Sequence, residues 1–182
     1  MVRALLPTLI VVGAGCAAAP PPAAGHASRE LVLAHDDSNA SGTVAFPSST
    51  YESVVRFELP DGQHRPLRLL FQAEAPGKLE ITIYESTPLE TPGNAIRAVS
   101  LELAKEDLSD GKDGRWVVED LGDMKPVSGV LWIGVHKSAG EPTIWASSVV
   151  SGQAFVRNND PQDRMGLLPT KRTPMIRLEV AP

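Results

Sequence analysis

The chain has 182 residues, 42% of them hydrophobic and 21% charged, with 16 prolines and 15 glycines. That length suits one domain behind a leader, and the composition is that of a turn-rich globular chain, neither disordered nor membrane-spanning. A formal net charge of -5 excludes non-specific nucleic-acid binding, which takes clustered Lys and Arg, and the single cysteine excludes an internal disulfide and a Cys-based metal cluster.

The chain opens with Arg3, an apolar run over 4–12, and then Gly13-Ala14-Gly15-Cys16. A cationic start, a short apolar centre and small residues before a cleavage point predict a secretory signal peptide. The run is far shorter than the ~20 residues a spanning helix needs, and Pro7 interrupts it. Gly13-Ala14-Gly15-Cys16 resembles the lipobox of bacterial lipoproteins, with Gly13 where Leu is usual. The resemblance implies cleavage before Cys16, acylation of Cys16 and attachment to a membrane through it. Ala17, standing where an Asp would retain the protein at the inner membrane, implies the outer membrane. One acyl chain binds a bilayer only marginally, so a stable anchor takes two or more. The alternative is an ordinary signal peptide cut within Ala17-Ala18-Ala19, which discards Cys16. Residues 16–28 are rich in Ala and Pro, with Pro20-Pro21-Pro22 stiffened toward polyproline II, and read as a tether. Residues 29–182 are left as the folded domain.

From residue 30 the pattern becomes short alternating segments broken by turn formers. Predicted strands are 31–33, 42–46, 53–59, 66–73, 78–85, 95–103, 115–120, 130–136, 143–149, 154–157 and 175–180. Period two is clearest where Leu79, Ile81 and Ile83 share one face, and where Ile176, Leu178 and Val180 do. Pro60-Asp61-Gly62, Pro76-Gly77, Pro92-Gly93 and 110–114 supply turns, because Gly permits positive φ, Pro fixes φ and Asp bonds its own backbone. The one stretch able to hold a helical turn is 101–108. About ten strands at this spacing predict an all-β fold, a single β-sandwich of jelly-roll type.

Leu33-Ala34-His35-Asp36-Asp37, the segment 54–60, Trp116-Val117-Val118, the run from Gly129 to Val135 and Phe155-Val156-Arg157 together resemble jelly-roll modules of secreted bacterial proteins. These are similar to carbohydrate-binding and protease-associated β-sandwiches. Ser38 stands where such modules usually carry Gly after the Asp pair. The resemblance implies the sandwich fold and leaves the ligand open.

No Gly-x-Ser-x-Gly elbow, His-Glu-x-x-His or phosphate-binding Gly-Lys-Ser/Thr loop is present. Of His26, His35, His64 and His136, only His35 has carboxylates beside it, Asp36 and Asp37. Adjacent strand residues point to opposite faces, so the spacing does not make a base of it. Asp107, Asp110 and Asp113 crowd one loop, as calcium ligands do. The alternate-position spacing of the helix-loop-helix calcium site is absent, and a solvated acidic turn is the simpler reading; a structural calcium stays open, also at Asp36-Asp37, and no other cofactor is expected. If 130–136 and 143–149 form a hairpin closed by 137–140, Trp132 stands opposite Trp145 and both face outward. Paired indoles can stack on sugar rings, or simply stabilise the sheet. Trp132 and Trp145 are therefore the candidate ligand contacts, with polysaccharide or an envelope protein as partner. The expected function is a lipid-anchored, non-enzymatic binding module; a structural subunit of an envelope assembly is the alternative, and a hydrolase a third.

Overall fold

The computed structural model of the chain describes residues 30–111, 115–160 and 166–182. Two antiparallel sheets face each other as a β-sandwich, the fold expected from the alternating segments. The smaller sheet has β1 (Leu31–Ala34), β12 (Ile176–Ala181), β4 (Arg65–Phe71) and β7 (Val117–Asp120), in that order. The larger runs β10 (Leu168–Pro169), β9 (Ala154–Asn158), β3 (Tyr51–Glu58), β8 (Val130–Ser147), β5 (Ala73–Ser86) and β6 (Pro92–Leu103). The far half of β8 also pairs with β2 (Ala40–Ala45) and β11 (Thr173–Pro174).

The core lies between the sheets. Leu79, Ile81 and Ile83 of β5 and Ile176, Leu178 and Val180 of β12 are all buried there, as their alternation predicts. Phe57, Leu131 and Ile133 join them from the larger sheet, Leu69 and Phe71 from the smaller. Each of these side chains, fully buried, contributes roughly 1.5–3 kcal/mol of transfer free energy. The chain crosses from sheet to sheet at Gln72, between β4 and β5, and again at Met175, between β11 and β12. The two crossings meet, with Gln72 N donating to Met175 O at 3.3 Å, so one corner of the sandwich is closed by backbone. The region able to hold a helical turn contains a single 3₁₀ turn, Lys105–Asp107. Among the described residues no helix is long and apolar enough to cross a membrane.

One expectation fails outright: residues 130–136 and 143–149 do not form a hairpin. They belong to one strand, β8, whose first half lies beside β3 and whose length lies beside β5. Gly140 (φ 72) supplies an irregularity within the strand, not a turn. It stands in register with Gly77 (φ 151) of β5, where Pro76-Gly77 was expected to end a strand. The backbones approach so closely that a Cβ on Gly77 would lie 2.6 Å from Pro142 Cδ and 3.0 Å from Ala139 O. The two glycines let long strands bend past each other without breaking the ladder.

Candidate functional site

The outward face of the larger sheet carries a polar cluster built around Glu52. Directly opposed residues of antiparallel strands share a face, and Glu52 of β3 is opposed by Arg157 of β9. On the other side of β3, Gly134 of β8 lies between Val54 and Thr82, with Tyr84 of β5 next along, opposite Trp132. Gly134 is the key to the arrangement. A Cβ there would fall 1.9 Å from Glu52 Oε1 and 2.9 Å from Tyr84 Cε2. Its bare backbone lets side chains from β3 and β5 meet across β8, and Tyr84 Oη donates to Glu52 Oε1 at 2.9 Å.

Glu52 is fully buried (0% exposed). Withdrawing a carboxylate from water costs several kcal/mol, so partners are obligatory. Arg157 Nε donates to Glu52 Oε2 at 2.6 Å, and Asn159 Nδ2 donates to the same oxygen at 3.1 Å. The Arg157 guanidinium lies over the Tyr84 ring, 4.7 Å from its centroid. Burial, and then the charge of Glu52, push the Tyr84 phenol above its usual range, which keeps the proton on the donating oxygen. Beside the cluster opens a cavity of about 320 Å³ lined by Arg157, Asn158, Asn159, Thr91, Pro92, Gly166 and Leu167.

The expected tryptophan platform is not formed. Trp132 is 1% exposed, its ring 5.6 Å from Phe155 and its Nε1 donating to Ser86 Oγ at 3.2 Å. Its strand neighbours are Arg56 and Tyr84, not Trp145. Trp145, at the other end of β8 and half-buried, pairs with Thr43 and donates from Nε1 to Ser109 O at 2.9 Å. Gly111 (φ 79) packs against its indole; a Cβ there would lie 3.0 Å from Trp145 Cε2. Trp145 therefore anchors the acidic loop, which joins two features that looked independent in the sequence. Trp116 lies under the Arg177 guanidinium, 4.2 Å from ring centroid to Cζ.

Asp107 is turned to its own backbone and accepts from Ala104 N at 2.8 Å, capping the 3₁₀ turn. Asp110 lies in the same loop, while Asp113 and Cys16 lie outside the described residues. Among the described residues no group of three or more His, Cys, Asp or Glu is placed to hold a metal ion. Asp36 accepts both Arg177 Nε and Nη2, and Asp37 caps the backbone at Asn39 and accepts from Ser147 Oγ at 2.7 Å, so this pair serves a turn and an ion pair. Ser38 there has φ 64, the left-handed conformation that the expected Gly would hold. His35 Nε2 donates to Arg56 O at 2.7 Å, and burial lowers its pKa below 6.5.

A second surface follows β6, the edge of the larger sheet. Cavities of about 410 and 390 Å³ share Ile96 and Val127, and the Arg97–Asp123 ion pair (2.7 Å) spans the first.

No protein-family model matches the sequence, and no curated protein matches it. The fold does resemble a solved one. A structure of the cysteine protease and lectin-like domains of Cwp84, a surface layer associated protein of Clostridium difficile, aligns with a TM-score of 0.55 at 8% identity. The alignment covers 84% of this chain and 36% of that one, so this chain spans about a third of its neighbour. A structure of infectious bursal disease virus, Gx strain, aligns over the same shares at a TM-score of 0.28 and 13% identity, too slight a likeness to carry an argument. The first likeness supports the sandwich fold at this level of identity.

Proposed function

We propose that this chain is an exported, lipid-anchored binding module without catalytic activity, and that its ligand is a saccharide of the cell envelope held on the outward face of the larger sheet. The observation that carries the reading is the convergence of Arg157, Asn159 and Tyr84 on Glu52 at the rim of an open cavity. Sugar hydroxyls are recognised by planar polar groups fixed in advance, and this cluster is fixed by a buried charge. The leader ending in Cys16 supports export and anchoring. The solved structure whose fold this chain resembles includes a lectin-like domain beside a cysteine protease, which is compatible with the binding half of the reading.

The test uses the full chain solubilised in detergent, incubated with a panel of insoluble polysaccharides and with isolated cell envelope. Retention by wild type that falls in an Asn159→Ala variant shown by circular dichroism to be folded at the assay temperature supports the reading. Equal retention of both, or of neither, refutes it. Anchoring is tested by metabolic labelling with a radioactive fatty acid, expected on wild type and lost in Cys16→Ser.

The second surface favours a protein partner instead. β6 runs twelve residues along the edge of the larger sheet, with Ile96 40% exposed beside the paired cavities. An edge strand of this length is a template for strand addition. Crosslinking through an Ala98→Cys variant in intact cells would recover such a partner, and the envelope-assembly reading falls if only monomer is found.

A further inference from the structure

Among the described residues that line the cavity beside Glu52, Arg157 is the only charged one; the others are Asn, Thr, Pro, Gly and Leu. Its guanidinium is unusually constrained for a surface arginine. Nε is bonded to buried Glu52 at 2.6 Å, the plane packs over Tyr84 at 4.7 Å, and the side chain is 20% exposed. Neither Nη group makes a hydrogen bond to another described residue. The charge of Glu52 is meanwhile shared with Tyr84 and Asn159, which draw on the same two oxygens. The outcome is a cation with one edge held and a fork of donors that no other described residue uses.

A free arginine loses rotamer entropy when it grips a ligand, and one already immobilised does not. A fork of parallel N–H donors matches two oxygens of an oxyanion and exceeds what a neutral hydroxyl needs. At about 320 Å³ the cavity sits at the small end of ligand pockets, roughly 300–1,000 Å³, so it suits a short stretch of chain and not a folded partner. Resting on the saccharide reading above, we infer that the site takes an anionic saccharide, with a singly charged oxyanion on or between its sugar rings seated on the Arg157 fork. Arg157 is then the residue that sets specificity, and Glu52, Tyr84 and Gly134 are positioning residues. A uronic-acid carboxylate and a wall-polymer phosphodiester share this chemistry.

The full chain in detergent is titrated calorimetrically with four probes: oligogalacturonate, its methyl ester, a neutral oligogalactose and a glycerol-phosphate polymer. The acid is expected to bind about 10- to 100-fold more tightly than its ester, the worth of charge-assisted hydrogen bonds, with the advantage shrinking in high salt. This comparison needs no variant, so it does not depend on how a substituted chain folds. Arg157→Lys keeps the charge and loses the fork, and should bring the acid-to-ester affinity ratio down toward one. Tight binding of the glycerol-phosphate polymer alone supports the oxyanion site and assigns it to phosphodiesters. Equal affinity for acid, ester and neutral probe overturns the inference and leaves the saccharide reading standing. Binding of no probe, with envelope polysaccharides also refused, overturns both.

Discussion

Gly134→Ala is the most direct test of how the site is built. The new methyl would sit 1.9 Å from Glu52 Oε1, 2.5 Å from its Cδ and 2.9 Å from Tyr84 Cε2. A flexible carboxylate at a surface would swing aside at little cost. This one is fully buried and held by Tyr84, Arg157 and Asn159, so moving it strips hydrogen bonds from a charge that water cannot reach. Breaking one charged hydrogen bond costs about 1.5–3 kcal/mol, and breaking a buried pair outright about 3–5. Arg157 is partly exposed and recovers some solvation, which places the loss toward the lower values. The alanine also lowers the entropy of the unfolded chain, offsetting about 0.5–1 kcal/mol. A net loss of about 2–3 kcal/mol follows, or roughly 4–12 °C in Tm for a domain of this size. Urea unfolding followed by far-ultraviolet circular dichroism measures it. The cause is then checked with Glu52→Ser, which removes the two nearest atoms and leaves only Tyr84 Cε2 at 2.9 Å: in that background Gly134→Ala should cost clearly less than in wild type. Additive losses in the double variant, or a single variant within about 0.5 kcal/mol of wild type, would refute the account.

Three other outcomes follow from the same structure. Trp132→Ala should lose about 3–5 kcal/mol, as a large buried side chain does, and a variant as stable as wild type would show that the indole is not packed under Phe155 and Ser86. His35 has its pKa lowered chiefly by burial, so the unfolded chain takes up the proton more readily than the folded one just below 6.5. The stability it contributes is full above pH 6.5 and falls as pH drops toward the folded value; urea midpoints on either side of that range should differ more in wild type than in His35→Gln, and equal differences would sink the assignment. Asp36→Ala strands the largely buried Arg177 and should cost about 2–4 kcal/mol in thermal unfolding, whereas Asp37→Ala, whose carboxylate serves only a local turn and Ser147, should cost clearly less.

The parts of the fold legible in the sequence are those where one face meets the core and the other meets solvent. β5 and β12 alternate, and their apolar sets are the core. In β8, residues 131–135 are buried on both faces, so the period disappears and Gly140 reads as part of a turn. An isolated glycine inside a strand can mark a close approach of backbone or side chain, and several here do so, among them Gly77, Gly134 and Gly140. Gly134, between Ile133 and Val135, was the available sign of the polar cluster. Nothing in Tyr51-Glu52-Ser53-Val54 marks its Glu as buried, since the partners come from residues 84, 157 and 159, far along the chain. Likewise 158–160 reads as a plain connection until β9 is placed beside β3.

The cluster is also an expensive way to fill this face. A buried ion pair seldom stabilises a protein more than apolar residues of the same volume would, and leucine or methionine at positions 52 and 157 would pack on Phe155 and Val54 without any charge to desolvate. Trp132, Phe155 and Val54 already form an apolar layer there, so the sheet does not lack material to bury. What the charged arrangement provides and an apolar one cannot is a guanidinium fixed in plane by Glu52 and Tyr84 at the mouth of a cavity. The glycine that permits it costs strand propensity as well, about 0.5–1 kcal/mol relative to alanine. Two local sacrifices of stability thus converge on one side chain, and the place where they converge is where a ligand can reach it.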